Sequence, residues 1–206
     1  MNKRTIQILL MISLVLLVIA ARYGIKAYVN KTGNGAEVAV IKQEGAVNIG
    51  GPFTLVDHTG KTVTEQDFKD VYTLVYFGYT FCPDACPTGL ANIQRALDML
   101  PPDKVKFFKV LFISIDPERD TPEKLAAYVK SFHPNTIGLT GTPEQVEAAK
   151  KAYKAYGRKV EDQAASDYTM SHSTYVYLMM LGDKYITHFV HDTPTEEMAK
   201  TLKTVL

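Results

Sequence analysis

The sequence is poor in cysteine, nearly neutral, and free of tryptophan. Only two cysteines occur in 206 residues, so any thiol chemistry is confined to one place. Lys and Arg number 23 against 22 Asp and Glu, for a formal net charge of +1. The basic footprint of a nucleic-acid binder is missing, and that class is set aside. The lack of Trp carries no weight. Neither an internal repeat nor a low-complexity segment is found. Length and ordinary apolar content suggest one globular domain of roughly 150 residues behind an N-terminal appendage.

What is present centres on Tyr76-Phe77-Gly78-Tyr79-Thr80-Phe81-Cys82-Pro83-Asp84-Ala85-Cys86-Pro87. An apolar, strand-like run from Leu74 to Tyr79 leads both cysteines to a proline-containing turn. Leu90, Ile93, Leu97 and Leu100 then recur at helical spacing, and Pro87 suits a first helical turn. Two thiols therefore stand at a helix N-terminus, whose partial positive charge favours the thiolate. Their spacing lets the sulfurs share a metal or close a disulfide.

Near the start, Ile6 to Ala21 is largely apolar, with Lys3 and Arg4 before it and Arg22 after it. As a helix it would cover ~24 Å, slightly short of a bilayer core. A signal peptide cut after Ala20 competes with an uncleaved anchor. The length of the run and its basic flanks favour the anchor. No Cys follows it, which argues against a lipid-modified Cys. The expected organisation is a membrane anchor or signal segment at 1–25, a Gly-rich tether at 26–50 and the domain at 51–206.

Along the domain, Phe53–Val56 reads as a strand, Asp57–Lys61 as a turn and Thr64 as the cap of a short helical turn. Val105–Ile115 reads as a strand covered on both faces. Thr121-Pro122 opens a helix expected to reach Phe132, and Thr142-Pro143 one expected to reach Tyr156 before Gly157 stops it. Ile137–Leu139 is a short strand. Thr174–Leu181 and Tyr185–Val190 form a hairpin, followed by a last helix from about Thr193. Strands alternating with helices, then a hairpin and a helix, predict an α/β fold: a thioredoxin-like mixed sheet with helices on both faces.

Two thiolates suit a soft ion such as Cu(I), and a third donor would complete a trigonal site. Of five histidines, His58 and His133 read as solvated, and His188 and His191 flank a hairpin strand. His172 stands just before the strand Thr174–Leu181. In a thioredoxin-like sheet that loop passes beside the redox cysteines, which selects His172. Met179 and Met180, inside a strand, read as core. Asp84, between the cysteines, can accept a hydrogen bond, bind an oxidised metal or contact a partner, but as a turn residue it needs none of these. The segment Asp116–Thr121 is a specific pattern, yet Pro and Asp are what any strand-to-helix turn uses.

The cysteine motif resembles that of the SCO/SenC copper chaperones. So do Gly51-Pro-Phe-Thr-Leu-Val-Asp57, Ser114-Ile-Asp-Pro-Glu-Arg-Asp-Thr-Pro-Glu123 and His172 ahead of a strand. The likeness runs from about residue 50 to 206. It implies a thioredoxin-like domain binding copper, Cu(I) or Cu(II), through Cys82, Cys86 and His172. It also implies delivery to the binuclear copper centre of cytochrome c oxidase subunit II, an upstream copper donor and a thiol reductant as partners, and single-pass anchoring in a bacterial inner membrane with a periplasmic domain. The leading expectation is an assembly factor without turnover. A thiol-disulfide oxidoreductase competes, although three residues between the cysteines and a poised His disfavour it. A thiol peroxidase would need a low-pKa Cys with a nearby Arg or Thr, and the sequence around Cys82 supplies Thr80 but no adjacent Arg.

Overall fold

The computed structural model describes residues 48–161 and 168–206. The apolar segment expected as an anchor and the tether up to residue 47 lie outside the described residues. Among the described residues, no helix is long and apolar enough to cross a membrane.

The central strands are β3 (Tyr72–Gly78) and β4 (Phe108–Ser114), which run parallel and bury nearly every side chain. A strand buried on both faces needs apolar residues without alternation, and both sequences supply them. Neighbouring residues on β3 point to opposite faces. Tyr76 faces helix α1 (Ala85–Asp98), where Gly89 leaves room for its ring, and Phe112 beside Tyr128 of α3 (Pro122–Val129). Phe77 faces Tyr153 of α4 (Pro143–Tyr153), with ring centroids 5.6 Å apart. Helices thus cover both faces, as expected. The last helix, α5 (Thr195–Thr204), packs on α1, and α2 (Pro102–Val105) is a single turn.

Strands β1 (Thr54–Asp57), β2 (Thr62–Thr64), β5 (Thr136–Thr140), β8 (Val176–Met180) and β9 (Lys184–Phe189) complete a seven-stranded sheet. Its order is β2-β1-β5-β4-β3-β8-β9, with β3, β4 and β5 parallel and the other pairings antiparallel. Met179 is core as expected, whereas Met180, at the end of β8, is 43% exposed.

Two caps behave as the sequence predicts. Thr121 Oγ1 accepts from the Lys124 N–H, and Thr142 exchanges hydrogen bonds with Gln145, satisfying helix-end donors. The helix ends differ. α4 stops at Tyr153, three residues early, because Lys154 adopts a left-handed conformation at φ 54° and its N–H closes on the last turn. α3 stops at Val129, and the strand expected from Val105 begins at Phe108.

The largest departure is a separate antiparallel ribbon, β6 (Gly157–Glu161) with β7 (Tyr168–His172), where a loop was expected. β7 alternates: Tyr168, Met170 and His172 turn inward while Thr169 and Ser171 are exposed. That period of two was the available signal.

Candidate metal centre

The ribbon carries His172 to the cysteines. One donor atom from each of Cys82, Cys86 and His172 lies within 4.8 Å of the others. His172 Nε2 is 3.6 Å from Cys86 Sγ. Its Nδ1 is 2.9 Å from the Ser173 carbonyl oxygen. A carbonyl can only accept, so Nδ1 carries the proton and the Nε2 lone pair faces the sulfurs. The Tyr79 ring meets the imidazole edge-on at 5.8 Å, and Tyr79 Oη is 3.0 Å from Thr169 Oγ1.

The cysteines are held unequally. Cys82 is half-buried in the turn, with its N–H donating to the Tyr79 carbonyl at 3.2 Å. Cys86 lies in the first turn of α1 and is fully buried. Gly78 makes that possible, since a Cβ there would stand 2.6 Å from Cys86 Sγ and from Phe112 Cε2. The Cys86 N–H donates to Cys82 Sγ at 3.3 Å. With no metal bound, the Cys86 thiol beside Cys82 draws the Cys82 pKa well down, and the neighbouring N–H groups add to this. The same contact, together with burial, pushes Cys86 up. Exposure and the Cys86 N–H favour negative charge on Cys82, and burial favours the neutral thiol on Cys86.

Asp84 does not join the donors. It is exposed beside the helix start, and its carboxylate accepts from Thr88 Oγ1 at 3.2 Å. His58 and His133, read as solvated, are half-buried instead, and each Nδ1 accepts a backbone N–H at 3.1 Å, from Gly138 and Asn135 respectively. His188 packs among Tyr175, Tyr177 and Tyr185, and His191 is exposed.

The segment Asp116–Asp120 is more than a turn: it holds the cysteine loop. Buried Asp120 accepts from Thr80 N–H at 3.1 Å, from Thr80 Oγ1 at 2.5 Å and from Ser114 Oγ at 2.6 Å. Burial keeps its carboxyl pKa raised despite these donors.

The sequence model of the family described as SCO1/SenC matches residues 41–206. The chain belongs to the SCO1/SenC family. Among SCO1/SenC relatives, it is 41% identical to the protein SenC of Rhodobacter capsulatus over 159 residues, 76% of this chain and 70% of that one. It is 44% identical to the mitochondrial SCO1 homolog 1 of Arabidopsis thaliana over 135 residues, 66% of this chain but only 40% of the relative's length. The solved structure of Bradyrhizobium japonicum ScoI with copper bound is similar at a TM-score of 0.70 and 40% identity, covering 77% of this chain and 99% of that one.

Proposed function

We propose that this SCO1/SenC protein is a copper metallochaperone for cytochrome c oxidase assembly, with copper as cargo. Cys82 Sγ, Cys86 Sγ and His172 Nε2 hold Cu(I), and the cargo goes to the binuclear copper centre of oxidase subunit II. The observation that carries this reading is the convergence of two sulfurs and one correctly faced imidazole. Two soft donors and an imidazole suit Cu(I). Copper in the solved ScoI structure supports the choice of ion.

The unequal burial of the ligands suggests the order of transfer. Acceptor ligands reach half-buried Cys82 and His172 first, and buried Cys86 releases last, so the ion is never free. An upstream donor loads the site. The apolar segment at 6–21 anchors the chain in a bacterial inner membrane, with residues 51–206 on the periplasmic side.

The asymmetry of the thiols favours a second reading, a reductase of the oxidase's copper-site cysteines. The Cys82 thiolate attacks a disulfide in the target and forms a mixed disulfide. Cys86, once deprotonated, displaces the target thiolate and closes Cys82–Cys86, so the target gains two electrons. A thiol reductant must then reduce the chain again.

Titration of the purified protein with Cu(I) and Cu(II), against a competing chelator, tests the first reading. Wild type is expected to bind one equivalent, with binding lost in Cys82→Ser and weakened in His172→Ala. Full-strength binding in His172→Ala removes the imidazole from the ligand set. A chain that reduces a disulfide target equally well with His172→Ala, and binds no copper, belongs to the second reading.

A further inference from the structure

His172 ends a ribbon that shares no ladder with the seven-stranded sheet, and a lone two-stranded ribbon is marginally stable in water. Its position therefore depends on what docks it. Much of that docking comes from the turn between β4 and α3. Asp116 is buried, its Oδ1 accepting from Tyr168 Oη at 2.7 Å and its Oδ2 from Arg119 Nε. Arg119 Nη1 donates to the Tyr168 carbonyl at 2.9 Å, and the guanidinium lies 3.8 Å from the centre of the Tyr168 ring. Lys159 of β6 pairs with Glu118 of the same turn.

The other side of this turn grips the cysteine loop. The Arg119 guanidinium stands 4.8 Å from the Phe81 ring centre, and Asp120 holds Thr80 as described. Thr80 and Phe81 immediately precede Cys82. One seven-residue stretch, 114–120, thus touches both pieces that bear ligands. A buried carboxylate is costly without partners. Arg119, from the same turn, compensates the Asp116 charge at Oδ2, and docking of the ribbon brings Tyr168 Oη to satisfy the other oxygen, Oδ1.

We propose that Asp116, Arg119 and Tyr168 are positioning residues that set the gap between the His172 ring and the two sulfurs. The inference rests on the copper reading only for its consequence: the clamp acts on affinity through His172 and touches no ion. Loosening it should leave the thiol pair in place and let the imidazole drift.

The test uses the full chain carrying Tyr168→Phe, which keeps the ring over Arg119 and removes the hydroxyl bonded to Asp116. Arg119→Lys serves as a second variant should the first fail to fold. In the metal-free protein, NMR of the aromatic region reads the cross-relaxation contact between the Tyr79 and His172 rings; it is expected to weaken in the variant. Cu(I) competition is expected to show about tenfold weaker binding, with no further loss when Tyr168→Phe is added to His172→Ala. An unchanged ring contact overturns the proposal, as does a copper loss that persists undiminished in the His172→Ala background. A lowered melting temperature without either signature means a structural tie only, which also overturns it. If wild type binds no copper, the metallochaperone reading fails while the ring contact still decides the clamp.

Discussion

The cysteines and the histidine reach one point from regions built in different ways. Cys82 and Cys86 hang from β3 and α1, where six of the seven β3 residues are buried. His172 comes from the ribbon, whose β6 strand buries none of its five residues. In the first region apolar packing sets position, and many weak contacts must fail together. In the second, Met170 of β7 joins the core with Tyr168 packed against it, and a few polar contacts add to this: Tyr168 with Asp116, Tyr79 with Thr169, and Lys150 Nζ donating to the Gly157 carbonyl at 2.8 Å. Cys86 therefore rests on a packed body, whereas His172 rests on a thinner set of contacts.

The widest contrast should appear in stability. Phe77→Ala, in the fully buried centre of β3, is expected to cost about 3–5 kcal/mol in urea unfolding. Val160→Ala on β6, only half-buried, should cost less than about 1 kcal/mol. Equal costs would break the comparison.

Gly78→Ala drives a methyl group to 2.6 Å from Cys86 Sγ and should cost about 1–3 kcal/mol. It should also speed alkylation of Cys86, because the sulfur has to move out from under β3. Hydrogen exchange sharpens the distinction at similar scale. Amides in β6 and β7 are expected to exchange at least about tenfold faster than those in β3 and β4, through local opening.

The smallest effect is a pH slope. Burial raises the Asp120 pKa, and the like charge of Asp116 adds to it. The folded state therefore binds the proton more tightly than the unfolded chain. This contribution to stability is fully present below the unfolded carboxyl pKa and is lost as pH rises through the raised folded value. Urea unfolding of Asp120→Asn across acidic pH should show a shallower fall with rising pH than wild type. An identical profile would remove Asp120 as its source.

Most of the body was legible in the sequence, because burial on two faces and helical periodicity leave direct marks. Leu74–Tyr79 and the Leu90–Leu97 spacing announced β3 and α1, and Thr121-Pro122 and Thr142-Pro143 announced the starts of α3 and α4. The ribbon was not read, since Gly157-Arg-Lys-Val-Glu161 has one apolar side chain and buries nothing. The cysteine pair and His172 were legible as donors. The role of Asp116 and Arg119 was hidden, because Asp and Pro are equally at home in a simple turn and the decisive partner, Tyr168, lies 52 residues beyond Asp116.

Local chemistry, written in the order of residues, determined that two thiols stand at a helix start and that a mixed sheet forms behind them. Tertiary structure alone decided which sulfur is buried, which face His172 presents and why Asp84 stays outside. Each of those depends on groups distant along the chain meeting at a few ångströms, where burial and hydrogen bonding act and sequence spacing carries no information.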